Sequence, residues 1–376
     1  MKKSKLFAAA TLAGLVSLAH AQAPSLNDIP PYKKEIECEG GGGLRLVGNW
    51  MRGNMIKLVD AFNKLHPDCK ASANFMTSSE GGIAALMFGV GDLAPMGDDA
   101  KITDIMPFYE AYRYVPTEIS IATGGAEKRG TLWPAVFLVN KDNPLTKLTV
   151  DQLSRIFGAS RTGGWDIGPE ASNSVRYTSK YARGPEMNIR TWGQLGLTGE
   201  FADKPIQTYG YVSPGFKIYL ERKINHWSQK WNESYKEYVE TQQTTNDKAG
   251  FNVASERMLE ELSKDKYGMG WAAWLHAKDY PNLRVLAVAA KEGGPYIPFT
   301  PDNVANRSYP LVRDYYMYFR RPPGQPVEPK VREFLRFCLS REGQTIISDY
   351  GSFSPMPIAY INEQLKKLEP APAAVK

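Results

Sequence analysis

The sequence predicts an α/β protein of two domains, and three observations carry that reading. The chain of 376 residues is longer than one hydrophobic core usually organises. From Leu44 short extended apolar runs alternate with helically spaced ones, the order that builds a parallel sheet with helices on its faces. Two long extended runs, residues 133–140 and 311–319, bracket the middle of the chain. They predict one crossing from the first domain to the second and one return, with a ligand cleft between the domains.

The elements follow in order. Lys2, Lys3 and Lys5, the apolar run Leu6–Leu18 and Ala19-His20-Ala21 read as an export signal cleaved near Ala21, too short to span a bilayer. Residues 22–43 read as a flexible lead-in ending in the glycines Gly40–Gly43. Extended runs at 44–48, 71–76 and 92–96 alternate with a helix carrying Met55, Leu58, Val59, Phe62 and Leu65 and another over 82–90. Thr149 and Gln152 form a capping-box signature for a helix at 150–157, which Gly158 closes. Strands are expected at 174–178, 206–211 and 268–274, and late helices follow Pro329 and end near Gly351. The domain division expected is 44–132 plus 311–376 for the first and 133–310 for the second.

The charge balance excludes one class of partner. Without the three signal lysines the net charge falls from +6 to about +3, and the basic residues form no block, so a dedicated nucleic-acid surface is not expected. Cys38 and Cys69 precede two strands expected to be parallel neighbours, and an oxidising compartment would let them pair. Closing that loop of about 30 residues would contribute roughly 3–4 kcal/mol. Cys338, on an apolar helix face with Val331, Phe334 and Leu335, is expected to be a buried small hydrophobe.

The most informative stretch is Met76-Thr-Ser-Ser-Glu-Gly-Gly-Ile83. Hydroxyls and glycines where a strand hands over to a helix make a cradle for an anion. The first-turn N–H groups lack partners there, and the helix dipole is positive. An ordinary N-cap has the same composition.

Val139-Asn-Lys-Asp-Asn-Pro-Leu145, Leu148–Phe157, Tyr309-Pro-Leu-Val-Arg313 and Phe334–Gln344, followed by Gly351 and Pro355-Met-Pro357, carry a resemblance. Over roughly 44–360 the chain resembles the phosphate-type periplasmic solute-binding proteins of ABC transporters, which have the type II periplasmic-binding-protein fold. The resemblance implies a small anionic, phosphate-like ligand, an ABC-transporter permease as partner, a periplasmic location, and neither cofactor nor metal. Mapped loop by loop, it implies ligand contacts from Asn49, Thr77, Ser78, Ser79, Asp98, Ser213 and Gly215. Asp98 would accept a proton-bearing ligand oxygen and repel an oxyanion without one, separating phosphate from sulfate. Two loops depart from the family pattern. Gly48-Asn49-Trp50-Met51 lacks the hydroxyls, and Tyr211 stands where a cation is expected. Arg183 or Lys217 could substitute for that cation, or be plain surface charges, while Trp50 and Tyr211 suggest a larger ligand that stacks on rings.

No nucleophile or base is marked at a catalytic spacing, so an enzyme is not expected. An alternative keeps the fold without transport: a ligand-sensing or interaction protein with an altered or lost phosphate site.

Overall fold

The computed structural model describes residues 24–36, 43–49, 52–75, 80–126, 133–168, 173–212, 214–239, 253–349 and 353–369. The expected signal at 1–21, Cys38, Trp50, Thr77, Ser78, Ser79 and Ser213 lie outside them.

Two sheets form the scaffold. The first has six strands in the order Phe353–Ser354, Thr117–Gly124, Asp314–Phe319, Leu93–Met96, Arg45–Gly48 and Ser72–Phe75. Three pair in parallel, with Arg45 opposite Ser72 and Leu46 opposite Leu93, as the alternating pattern predicts. Asp314–Phe319 then runs antiparallel between Leu93–Met96 and Thr117–Gly124. All six of its residues are buried, which suits a central strand covered on both faces. The sheet is therefore mixed, and its strands come from both ends of the described chain. The second sheet orders Lys236–Tyr238, Gln207–Tyr211, Gly268–Ala273, Ala135–Asn140 and Leu283–Val285. Ala135–Asn140 is again wholly buried. This is the two-lobed arrangement of the type II periplasmic-binding-protein fold, and the two lobes are named below by their six- and five-stranded sheets.

The crossings lie side by side. Gly124 N–H donates to Arg313 O at 2.9 Å, and Ala135 N–H to Leu311 O at 3.3 Å. Helices cover the faces where periodicity placed them. Arg52–Leu65 buries Met55, Leu58, Val59 and Phe62, although Leu65 is exposed. The Thr149 capping box is formed, its hydroxyl accepting from Gln152 N at 3.1 Å and its N–H donating to Gln152 Oε1 at 2.9 Å. The helix foreseen at 82–90 runs Glu80–Met87. Gly82 is there for packing. A Cβ on it would come within 3.1 Å of Ala94 and 3.2 Å of Met96, so the helix lies close on the strand beneath.

Several expectations need correction. Residues 24–36 are not a loose lead-in. Ile29 is buried, the Tyr32 hydroxyl donates to Glu333 Oε1 at 2.5 Å, and Glu35 N–H reaches the same carboxylate at 3.0 Å. Glu333 is fully buried, and an acceptor so placed needs those donors. Helices Ile102–Tyr112 and Ile358–Lys366 and the strand Thr117–Gly124 were not foreseen. Cys69 is disulfide-bonded, while Cys338 is free and buried, its thiol pushed up by burial.

Candidate functional site

The helix Pro214–Asn225 of the five-stranded lobe organises the cleft. Residues four and seven apart share a helix face, and Gly215, Tyr219 and Arg222 have that spacing. The face they form is turned to the six-stranded lobe. Asp98 Oδ1 lies 1.8 Å from where a Cβ on Gly215 would stand, so only glycine fits and no guest atom fits between the two. Arg313 Nη2 reaches Asp98 Oδ1 at 3.3 Å and stands 2.8 Å from that same Cβ position. The Arg313 guanidinium is buried and lies 4.5 Å over the Phe216 ring. A cation, a carboxylate and a helix start thus meet at one point between the lobes.

Two turns further along the helix the contact is ionic. Arg222 Nη1 donates to Asp99 Oδ1 at 2.5 Å and to Glu118 Oε2 at 2.9 Å, and Nη2 donates to Glu118 Oε1 at 3.1 Å. The Tyr318 hydroxyl adds a bond to Glu118 at 2.6 Å. Burial by itself would raise the Glu118 carboxyl, but the Arg222 guanidinium and the Tyr318 hydroxyl outweigh it and hold the group at about 2. Between the two contacts sits Tyr219. It is fully buried, and its hydroxyl has no hydrogen-bond partner among the described residues. Arg313 and Asp99 are near enough to act on it electrostatically. An unsatisfied buried donor costs about 1–3 kcal/mol, and a group of that kind calls for a water or ion to complete it.

The structure treats the residues singled out in the sequence unequally. Asp98 and Gly215 come together, in direct contact. Asn49 lies at the end of the strand Arg45–Gly48, its N–H donating to Pro95 O at 3.0 Å and its carbonyl accepting from Tyr315 at 3.3 Å. Lys217 belongs to the same helix as Gly215 and pairs with Glu237 at 2.9 and 3.2 Å.

Arg183 is neither a substitute ligand contact nor a surface charge. It is buried, with bonds to Ser154 Oγ at 2.9 Å, Ser154 O at 2.8 Å and Ala159 O at 3.2 Å, all in its own lobe. Burial, then neighbouring Arg161, lowers it to about 10. Tyr211 is not a ring for a guest to stack on. It is buried against Trp271 and Phe216, and its hydroxyl accepts from Ala273 N at 3.2 Å. Its apolar body belongs to the core because the strand Gln207–Tyr211 is buried along most of its length.

Arg313, Tyr219, Arg222 and Glu118 were missed. Arg313 closes the motif Tyr309-Pro-Leu-Val-Arg313 and read as framework, although an arginine just before a crossing strand is a signal. The spacing of Gly215, Tyr219 and Arg222 was legible once the helix start was placed. Among the described residues no group of three or more His, Cys, Asp or Glu is arranged to hold a metal ion. No described helix is long and apolar enough to cross a membrane.

A family model described as a PBP superfamily domain matches residues 55–342. Two curated relatives, the phosphate-binding protein PstS of two strains of Pseudomonas aeruginosa, are each 27% identical over 372 residues, spanning 98% of this chain and 99% of theirs. Among solved structures, PstS from Borrelia burgdorferi is 14% identical with a TM-score of 0.49, covering 84% of this chain and 99% of its own. An ABC-type phosphate transport receptor from Vibrio cholerae is 16% identical with a TM-score of 0.47, covering 84% of this chain and 100% of its own.

Proposed function

Because the chain belongs to the PBP superfamily, we propose that it is an extracytoplasmic solute-binding protein that captures a small oxyanion, phosphate or a relative, for an ABC transporter. The observation that carries this reading is the meeting of Arg313, Asp98 and the Gly215 helix start across the cleft. Arg313 supplies, from the returning strand, the cation that Tyr211 does not. A guanidinium offers the charge-assisted donors an oxyanion needs, and the Tyr219 hydroxyl is an additional donor without a hydrogen-bond partner among the described residues. The names of the Pseudomonas relatives support phosphate as the guest. The leader at 1–21 supports export and a periplasmic location, and Cys38 is the proposed partner of Cys69.

In this reading the bodies 44–132 plus 311–376 and 133–310 part around the paired crossings. The guest enters between Asn49, Thr77, Ser78 and Ser79 on one side and Ser213 and Gly215 on the other. Asp98 gives up its place against Gly215 as it does so, and then accepts a proton-bearing oxygen of the guest. The closed form docks on the permease.

Titration calorimetry of the mature protein with phosphate and sulfate tests the proposal. Phosphate should bind and sulfate should not. Arg313→Gln should weaken phosphate by about 1.5–3 kcal/mol, the range for a hydrogen bond to a charged group, and Asp98→Asn should relax the rejection of sulfate. Silence toward both anions would sink it. The tight Asp98–Gly215 contact favours a second reading, an interaction protein that no longer takes an anion. A protein partner recovered alongside flat titrations would support that one.

A further inference from the structure

The return crossing carries a second ionic tie, one strand position from Arg313. In the six-stranded sheet Asp314 stands opposite Thr123, and the next rung is the bond from Gly124 N–H to Arg313 O at 2.9 Å. One residue holds both side chains of the first rung. Arg307 Nη1 donates to Asp314 Oδ1 at 2.5 Å and to Thr123 Oγ1 at 2.8 Å, and Nη2 donates to Asp314 Oδ2 at 3.0 Å. Asp314 is buried. It also accepts from Ser120 Oγ at 3.0 Å, Thr123 Oγ1 at 3.3 Å and the Tyr360 hydroxyl at 2.8 Å, as a carboxylate out of water must.

Arg307 itself is rooted in the other lobe. It follows the helix Pro301–Ala305, and Val304 and Tyr309, on either side of it in the chain, are buried in the core of the five-stranded lobe. Its guanidinium lies 3.6 Å from the centre of the Tyr360 ring, and Tyr360 packs on the core of the six-stranded lobe. The side chain therefore spans the same gap that residues 308–313 span with their backbone. A bidentate guanidinium–carboxylate pair holds one plane, and the ring beneath the cation secures it. Arg307 has a φ of 64°, a left-handed conformation that a non-glycine residue keeps only where its surroundings over-determine it. The return crossing is splinted rather than slack.

We propose that Arg307 is a positioning residue for anion capture: by clamping Asp314 and Thr123 it sets the direction in which the neighbouring Arg313 guanidinium enters the cleft. Successive side chains of an extended run leave on opposite faces. With Asp314 held by Arg307, Arg313 is turned the other way, where it meets Asp98 at 3.3 Å. Arg307 acts through these neighbours and touches no guest. The inference rests on the anion reading above and deepens it by a residue that the sequence did not mark.

A double-mutant cycle separates positioning from support of the fold. Phosphate is titrated by calorimetry into the mature protein and its Arg307→Gln, Arg313→Gln and doubly substituted variants, with a melting curve for each. Arg307→Gln should weaken phosphate roughly fivefold or more in the parent and less than about twofold once Arg313 is replaced. Its effect on the melting temperature should be the same in both backgrounds. Arg307→Lys keeps a cation on Asp314 but loses the fork, and its affinity should fall between those of the parent and Arg307→Gln. Should Arg307→Gln fail to fold, the same cycle run with Arg307→Lys decides by the same two comparisons. If phosphate binds the parent and the Arg307 variant equally, or if the loss is as large without Arg313 as with it, the inference falls and the anion reading stands. If the parent binds no phosphate, both fall together.

Discussion

The two lobes bring opposite chemistry to the cleft. The six-stranded lobe presents acids: Asp98, Asp99 and Glu118 all face the gap, with Arg313 arriving on the returning strand. The five-stranded lobe answers from a single helix with a dipole-positive start at Gly215, a buried phenol at Tyr219 and a guanidinium at Arg222. Within each lobe, apolar cores hold the sheets together. Between the lobes the named contacts are ionic and hydrogen-bonded. The difference teaches that closure here does not depend on a guest alone, because the protein's own charges already join the lobes. A guest adds its differential affinity to a balance the protein has set.

The comparison breaks most severely at Arg222. Replacing it with Ala strands the buried Asp99 and its neighbour Glu118 without the guanidinium that pairs with both. Losing one partner of such a group costs about 3 kcal/mol or more. Small-angle scattering should show a larger radius of gyration for Arg222→Ala in the absence of ligand, with a lower melting temperature. An unchanged radius would mean that the ion pairs do not set the closed state.

Gly215→Ala comes next. Its Cβ would collide with Asp98, so the lobes must part or the carboxylate must turn away. Phosphate affinity should drop by tenfold or more, about 1.4 kcal/mol, while each lobe stays folded by dichroism. Tyr219→Phe sharpens the comparison differently. Removing an unsatisfied buried hydroxyl should leave the melting temperature the same or slightly raised, yet weaken phosphate by about 1 kcal/mol if that hydroxyl serves the guest. Loss of stability with unaltered affinity would show that the phenol is purely structural.

The smallest effect is in pH. Glu118 is held below its unfolded value, so its contribution is complete above about pH 4.5 and fades as pH falls toward about 2. Thermal melting from pH 6 to pH 2 should show that component, and Glu118→Gln should lack it.

Much of the scaffold was legible because burial leaves a period in the sequence. The apolar run at 135–139, the helix face from Met55 to Phe62 and the Thr149–Gln152 cap could each be read locally. Of the residues the resemblance singled out, Gly215 at a helix start and Asp98 after a short strand are the two that the structure brings against each other. What escaped depends on distant parts of the chain. Arg313 meets Asp98 across 215 positions, and Arg222 meets Glu118 across 104. No local pattern announces such pairs. Tyr211 misled because a tyrosine at a strand end looks the same whether it faces a cleft or the core. Its placement is settled by Trp271 and Phe216, which pack around it from other elements.

Arg313 stands at the pivot with its main chain and in the gap with its side chain. Its carbonyl is tied to Gly124 in the paired crossings, and its guanidinium reaches Asp98. Any rotation of one lobe against the other therefore swings the charged tip like the arm of a lever fixed at the fulcrum. On the proposed function, opening angle and grip on an anion would be geared through one residue, and a substitution elsewhere in the crossings would retune affinity without touching a single liganding atom.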